Sequence, residues 1–194
     1  MKQVMGILLA AGASQRFGAD KLRQPLPGGE WVAERACRNL LTVTGHVLAV
    51  VRPEAGPLAE RLRKAGAETI VCQEAWRGMG ASLACGIRAS LPQTQGWLVA
   101  LADMPWIKTE TIQAVAQAIF QGEELAAPCH LGQRGHPVGF SAHHRVALSA
   151  LDGDEGAKSV IQSHAVRLRL ITVDDPGVLR DIDLPTDLPP LPFA

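Results

Sequence analysis

The sequence has no excess of charge of either sign, since 19 Lys and Arg residues balance 19 Asp and Glu residues. Proteins that bind DNA or RNA usually carry a basic excess or a basic stripe, because they must neutralise many phosphates. The balance therefore argues against a nucleic-acid partner. It is compatible with a small phosphorylated ligand, which needs only a few local cations.

Paired cysteines and long apolar runs are also missing. The four cysteines, Cys37, Cys72, Cys85 and Cys129, form no CxxC motif, and a chain of 194 residues can bury a core without disulfides. We therefore expect reduced thiols and a cytoplasmic protein. The apolar run at residues 4–11 is too short to span a membrane and ends at a glycine rather than at a cleavage site, so it predicts a buried strand.

Apolar runs of strand length alternate with stretches of helical periodicity along most of the chain. Strands are predicted at residues 5–9, 47–51, 69–72, 97–101, 125–127, 137–140 and 168–173. Helices are predicted near residues 31–41, 58–65, 83–91, 109–120 and 143–151, with Thr109 as the N-cap of the fourth. The repeated β-α-β order predicts one domain over residues 1–194, with a three-layer α/β/α fold and a mostly parallel sheet. Such sheets bind ligands at the carboxyl ends of their strands.

The loop after the first predicted strand has the sequence LAAGASQRFGADK at residues 9–21. Gly12 and Gly18 allow the backbone to bend and to come close to a ligand, and the N–H groups of such a loop can bind phosphate oxygens. Arg16 and Lys21 add two cations suited to phosphate. The loop is neither a Walker A motif, because no lysine follows the second glycine directly, nor a GxGxxG motif. On composition alone, an ordinary β-α turn with solvated charges explains it equally well.

A single aspartate, Asp103, follows the fourth predicted strand in the segment LADMP at residues 101–105. A carboxylate at this end of a strand, beside a phosphate-binding loop, is well placed to hold Mg²⁺. That ion takes one or two protein carboxylates and leaves its other positions to phosphates and water. The alternative is a turn aspartate before a proline, which is common in loops.

Both segments resemble those of the molybdenum cofactor cytidylyltransferases, a family of MobA-like NTP transferases. The pattern LAAGxSxRxGxxK at residues 9–21 is similar to the signature loop of that family, with Phe17 where methionine is usual. Residues 103–105 are similar to its Asp-Met-Pro segment. The resemblance covers about residues 4–188. It implies a Rossmann-like, glycosyltransferase-A-like nucleotidyltransferase fold and a Mg²⁺ cofactor.

The resemblance also implies roles for individual residues. Arg16, Lys21 and Asp103 are expected to act in catalysis, the first two by holding phosphate oxygens and the third by holding the metal. Asp183 is expected as a second metal ligand, with Asp181 as the competing choice, because residues 181–188 resemble a second acidic segment of the family. A surface turn is the alternative there. The expected nucleotide-binding residues are Leu9, Ala10, Ala11, Gly12, Ala13, Ser14, Arg16, Lys21, Gly78, Ser82 and Asp103.

Two further segments resemble the base side and the acceptor side of the family's site. Gly78 and Gly80 are expected to let the backbone approach the base, and Ser82 is either a polar contact to the nucleotide or the N-cap of the next helix. His136, presented rigidly and exposed between a glycine and a proline, is expected to contact a pterin acceptor rather than to act as a base. Lys158 replaces a family arginine and is expected to hold the acceptor less firmly, because lysine lacks bidentate geometry.

The reaction implied by the resemblance is transfer of CMP from CTP to the phosphate of molybdenum-loaded molybdopterin, with release of pyrophosphate. A phosphate monoester is mostly anionic at neutral pH and needs no strong general base, which fits a chain without an evident Ser/His/Asp set. Ala11 favours CTP, because guanylyl-transferring relatives usually have glycine there. The alternatives are a same-fold transferase that uses GTP or another phosphorylated acceptor, and a non-catalytic chaperone that delivers the cofactor to a molybdoenzyme.

Overall fold

A computed structural model describes residues 4–12 and 17–190 of the chain. Within these residues, an eight-stranded sheet lies between two layers of helices. The strands are β1 (Val4–Leu9), β2 (Val47–Val51), β3 (Glu68–Val71), β4 (Gly96–Leu101), β5 (Leu125–His130), β6 (Gln133–Arg134), β7 (Val138–Ser141) and β8 (Leu168–Thr172). The helices are α1 (Val32–Thr44), α2 (Gly56–Lys64), α3 (Met79–Ala89), α4 (Thr109–Phe120), α5 (Arg145–Ser149) and α6 (Lys158–Ser163).

The strand order in the sheet is β3-β2-β1-β4-β7-β5-β6, and β8 pairs with β5. Strands β1 to β4 pair in parallel, and β8 is parallel to β5. Strand β7 is antiparallel to both β4 and β5, and the short β6 is antiparallel to β5. The predicted α/β/α fold with a mostly parallel sheet is therefore confirmed. The reversed β7 was not predicted, because strand direction depends on which strands pair and not on local periodicity.

Alternating side chains of the strands form two cores, one on each face of the sheet. Leu8 of β1 faces the layer that contains α1, α2 and α4, whereas Ile7 faces the layer that contains α3, α5 and α6. Strand β2 is buried along its whole length, as expected for the apolar sequence VLAVV between two helical layers. Each large aliphatic side chain buried in this way contributes about 1.5–3 kcal/mol. The strand ends are thereby held rigidly at one edge of the sheet.

Two predicted helix starts are wrong. Helix α4 begins at Thr109 itself, so Thr109 is not its N-cap. Lys108 precedes it, and the carboxylate of Asp175 accepts the Lys108 N–H at 2.9 Å. Helix α3 begins at Met79, so Ser82 lies inside the helix and the N-cap alternative is excluded. In the first case the cap comes from a residue distant in sequence, which a local pattern cannot reveal.

The helix predicted at residues 143–151 is shorter than expected. Residues Ala142–His144 form a 3₁₀ turn, and α5 follows with five residues. Among the described residues, no helix is both long enough and apolar enough to cross a membrane.

Candidate active site

The carboxyl ends of β1 and β4 lie side by side, and the candidate site is at this edge of the sheet. Leu9 pairs with Leu101, and the Ala102 N–H donates to the Leu9 carbonyl at 3.1 Å. Asp103 and the end of the loop at residues 9–21 therefore meet. The Nζ atom of Lys21 lies 2.8 Å from Asp103 Oδ2, and both side chains are mostly buried. The Asp103 carboxylate thus points toward the loop and not into the apolar core.

The C-terminal segment brings a second carboxylate to the same lysine. Asp183 Oδ1 lies 2.8 Å from Lys21 Nζ. The segment is held by Ile182, whose N–H donates to the Asp103 carbonyl at 3.0 Å and whose side chain is fully buried against Phe17 and neighbouring apolar groups. Phe17, the departure from the family's usual methionine, therefore helps to position the acidic segment.

Asp187 supports this turn from the other side. Its Oδ2 atom accepts the Asp183 N–H at 2.9 Å and the Leu184 N–H at 2.7 Å. These two backbone hydrogen bonds hold the pKa of Asp187 below its ordinary value. The turn that the sequence left as an alternative is thus present, and it orients Asp183.

Three carboxylates form a group that could hold a metal ion. Among the described residues, one ligand oxygen from each of Asp103, Asp181 and Asp183 lies within 4.8 Å of the others. Asp103 Oδ1 is buried without a hydrogen-bond partner, which leaves an acceptor available for a cation. An all-oxygen set of carboxylates suits Mg²⁺ or Mn²⁺. The residues therefore fit a divalent cation, and the structure groups both Asp181 and Asp183 with Asp103.

The charge of Lys21 is secured by these neighbours. Burial lowers the pKa of Lys21, but the hydrogen bonds and negative charges of Asp103 and Asp183 outweigh burial and hold the pKa above its ordinary value. Lys21 is therefore a permanent cation at neutral pH.

The described ends of the loop are joined by an arginine that the sequence reasoning missed. Ala10 is buried, Ala11 is half-buried and Gly12 is exposed. The Nη1 atom of Arg52 donates to the Gly12 carbonyl at 3.4 Å, and its Nη2 atom lies 3.9 Å from Asp20 Oδ2. Its position directly after β2, at the carboxyl edge, was the available signal. Ala13, Ser14 and Arg16 lie outside the described residues.

Gly78 and Gly80, the glycines expected to approach the base, leave room for another part of the chain. A Cβ atom on Gly78 would lie 2.1 Å from Asp154 Oδ1, and one on Gly80 would lie 2.4 Å from the Asp152 carbonyl oxygen. The Gly80 N–H donates to the Gly153 carbonyl at 2.7 Å. The segment at residues 75–80 and the loop at residues 152–156, which we call the paired rim, therefore pack tightly together.

Ser82 is buried within α3, where its hydroxyl donates to the Gly78 carbonyl at 3.1 Å.

On the acceptor side, His136 and Lys158 line one cavity of about 160 Å³. Apolar side chains from the ends of β1 and β4 form its floor, and Arg134 and Glu155, which the sequence reasoning did not single out, also line it. His136 is half-buried, so the expected exposed presentation is wrong. Burial, helped by the charge of Arg134, lowers the pKa of His136 to about 4, so the ring is neutral at pH 7.

A larger open cavity of about 310 Å³ lies elsewhere, beside Glu34, Arg38 and Arg61, and none of the expected site residues lines it. Glu34 accepts hydrogen bonds from both arginines, which accounts for the charges there.

The fold and the site place the chain among the α/β nucleotidyltransferases. The structure is similar to a nucleotidyl transferase from Methanothermobacter thermautotroptrophicus, with a TM-score of 0.81 over 96% of this chain and 94% of that chain at 21% identity. Residues 6–168 match the MobA-like NTP transferase domain. The chain therefore belongs to the family of MobA-like NTP transferases, and the resemblance stated from its motifs is confirmed at that level.

The structure is also similar to that of Rv0371c from Mycobacterium tuberculosis H37Rv, at 25% identity with a TM-score of 0.82 over 96% of this chain and 95% of that chain. A structure of Rv0371c in complex with manganese gives a TM-score of 0.80 at 21% identity, with 96% of each chain covered.

Curated proteins with similar sequences carry several names. The chain is 31% identical to the purine catabolism protein PucB of Bacillus subtilis, over 95% of this chain and 93% of that protein. It is 29% identical to nicotine blue oxidoreductase of Paenarthrobacter nicotinovorans, over 93% and 92% of the two chains. It is 34% identical to a probable molybdenum cofactor guanylyltransferase of Chloroflexus aggregans, over 62% and 55% of the two chains.

Proposed function

We propose that this protein transfers CMP from CTP to the phosphate of molybdenum-loaded molybdopterin and releases pyrophosphate. The observation that carries the proposal is the meeting of Lys21 with Asp103 and Asp183, each at 2.8 Å, at the carboxyl edge of the sheet. A cation, a group of carboxylates and a glycine-containing loop are what a metal-bound triphosphate requires.

The reaction requires alignment of the two reacting phosphates and neutralisation of their charge, and it does not require a strong base. The acceptor phosphate is already anionic at neutral pH, and the two reacting phosphates repel each other. Lys21 and Arg16 would hold phosphate oxygens of the nucleotide. Asp103 and Asp183, with Asp181 beside them, would hold Mg²⁺ or Mn²⁺, the second being the metal in the Rv0371c complex. The bound metal would neutralise charge on the phosphates.

The acceptor side of the proposal rests on the cavity that contains His136 and Lys158. Its apolar floor suits one face of a flat ring, and the cations Arg134 and Lys158 suit an anionic group. His136 is neutral at pH 7, so it would hydrogen-bond to the acceptor rather than supply charge. The name of the Chloroflexus aggregans relative, which refers to the molybdenum cofactor, supports a pterin acceptor.

GTP is the principal rival to CTP, because that same relative is named a guanylyltransferase. The preference for CTP rests on Ala11 alone. The similarity to a nicotine blue oxidoreductase extends over almost the whole chain, so sequence likeness by itself does not determine the reaction and turnover must be measured.

The deciding experiment incubates the protein with each of the four α-labelled NTPs, Mg²⁺ or Mn²⁺, and molybdenum-loaded molybdopterin. We expect only CTP to yield a dinucleotide product and an equal amount of pyrophosphate. GTP turnover without CTP turnover would reject the base assignment. A parallel incubation replaces molybdopterin by a sugar phosphate, and turnover only in that incubation would reject the acceptor.

Replacement of Asp103 distinguishes the hypothesis of an enzyme from that of a delivery chaperone. We expect Asp103→Asn to lower turnover by about 10²-fold or more, because one metal-holding charge is removed. Asp174→Asn, which changes an exposed aspartate outside the carboxylate group, is the matched control and should retain activity. Equal pterin delivery to a molybdoenzyme by both variants, with no turnover by either, would favour the chaperone.

A further inference from the structure

Lys21 lies inside the carboxylate group and not merely at its margin. Its ammonium is 2.8 Å from Asp103 Oδ2 and 2.8 Å from Asp183 Oδ1, and only 13% of the side chain is exposed. These are two of the three carboxylates whose oxygens lie within 4.8 Å of one another. The lysine thus supplies a positive charge where the proposed metal ion would find its ligands.

An ammonium and a divalent cation compete for such a position. Like charges about 4 Å apart repel each other, and the repulsion is strong where solvent is partly excluded. Asp103 Oδ1 is open to a divalent cation, but the ammonium holds Asp103 Oδ2 and Asp183 Oδ1. A divalent cation that arrives alone must therefore either bind beside a like charge or displace Lys21, which would then lose two charge-assisted hydrogen bonds.

A polyphosphate removes this obstacle because it offers new acceptors to the lysine. Lys21 begins a 3₁₀ turn, Lys21–Arg23, in which Leu22 is buried and anchors the backbone. The flexible four-carbon stem of the lysine can then turn its ammonium toward a phosphate without moving the turn.

We infer that Lys21 is a resident counter-ion of the carboxylate group in the nucleotide-free protein, and that a divalent cation binds tightly only together with a polyphosphate that accepts the Lys21 ammonium. The inference rests on the proposed metal-dependent function and gives Lys21 a second role beyond phosphate binding. It makes metal affinity and nucleotide affinity thermodynamically coupled, so each ligand strengthens the binding of the other.

The test measures Mn²⁺ affinity by electron paramagnetic resonance, with and without the non-cleavable analogue α,β-methylene-CTP. In the native protein we expect weak Mn²⁺ binding that tightens at least tenfold when the analogue is present. Lys21→Met should bind Mn²⁺ alone at least tenfold more tightly than the native protein, because the competing cation is gone. The effect of the analogue should shrink in this variant.

Two lysine substitutions serve as controls. Lys21→Arg keeps a cation at the position and should keep the weak binding of Mn²⁺ alone. Lys64→Met removes a lysine that pairs with Glu60 on α2, remote from the carboxylate group, and should leave Mn²⁺ affinity unchanged. Thermal unfolding with and without Mn²⁺ provides a second readout, in which Mn²⁺ should raise the Tm of Lys21→Met more than that of the native protein.

The result that overturns the inference is Mn²⁺ binding to Lys21→Met that is no tighter than binding to the native protein. This result is separate from the fate of the proposed function, because it uses no turnover. If the native protein forms the dinucleotide but Lys21→Met gains no Mn²⁺ affinity, the proposed function stands and the inference is wrong. If the native protein has no transferase activity but Lys21→Met gains Mn²⁺ affinity, the proposed function is wrong and the counter-ion role stands.

Discussion

At the scale of single residues, His136 shows how burial changes the part a side chain can play. Its ring lies in a cavity with an apolar floor, its Nδ1 atom is buried without a hydrogen-bond partner, and its pKa falls to about 4. A histidine in this state carries no charge at pH 7. It also lowers the free energy of unfolding at low pH, because the unfolded chain binds a proton at this position and the folded chain does not.

This effect leads to a prediction about stability. Between pH 6.5 and about 4, the unfolded chain binds a proton at His136 and the folded chain does not, so the residue makes the free energy of unfolding fall as pH falls through this window. We expect the free energy of unfolding of His136→Asn to fall by about 2 kcal/mol less than that of the native protein between pH 7 and pH 5. Urea denaturation at the two pH values measures the difference. Equal losses in both proteins would mean that the histidine protonates in the folded state.

At the scale of elements, the paired rim couples the start of α3 to the loop that precedes α6. Three kinds of contact join its two segments. Arg77 pairs with Asp152, the Gly80 N–H donates to the Gly153 carbonyl, and Met79 packs close to Gly156. Met79 and Glu155 also line the cavity that contains His136. A shift of one segment must therefore change the shape of the proposed acceptor site.

Gly80→Ala tests this coupling, because two effects predict opposite signs. Helix propensity favours alanine over glycine by about 1 kcal/mol. The added Cβ, however, would lie 2.4 Å from the Asp152 carbonyl oxygen, and overpacking of this kind costs about 1–3 kcal/mol. We expect the cost of the clash to exceed the gain in helix propensity, so Gly80→Ala should be less stable and should have a higher KM for the acceptor.

The matched control is Gly56→Ala at the start of α2, where an added Cβ meets nothing within 4 Å. It should be neutral or slightly stabilising, and it should leave the KM values for the nucleotide and for the acceptor unchanged. If Gly80→Ala behaves in the same way, the rim is looser than the contacts indicate.

At the scale of the whole molecule, the segment after β8 carries Asp181 and Asp183 back across the sheet edge. Asp175 holds the start of this segment and is almost fully buried. Its carboxylate accepts the Lys108 N–H at 2.9 Å, the Thr111 hydroxyl at 2.7 Å and the Gly177 N–H at 3.0 Å. One side chain therefore caps α4 and anchors the chain that delivers two of the candidate metal ligands.

We expect Asp175→Ala to lower the free energy of unfolding by about 2–4 kcal/mol, because it leaves buried donors without acceptors. The same change should weaken Mn²⁺ binding, since Asp183 is then held less firmly. Urea denaturation and Mn²⁺ titration measure the two effects, and Asp174→Asn is the adjacent control. A loss of stability with unchanged Mn²⁺ affinity would show that the acidic segment is positioned by Ile182 and Asp187 alone.

Local patterns in the sequence predicted most of the alternating strands and helices, the α/β/α layers and the two segments at the carboxyl edge, but they missed the short strand β6 and helix α6. Hydrophobic periodicity and glycine placement act over a few residues, so they can be read without coordinates. The same patterns identified Asp103 and Lys21 as neighbours in function, because parallel strands end at one edge.

Only the tertiary structure decided how distant residues combine. Strand β7 is antiparallel to β4, and Asp175 caps α4. Arg52 contacts the loop, and Asp183 pairs with a lysine 162 positions away in the sequence. The tertiary structure also showed that Gly78 and Gly80 make room for residues 152–154 of the chain itself. These outcomes depend on which surfaces pack together, and packing between remote segments leaves no period or spacing in the sequence.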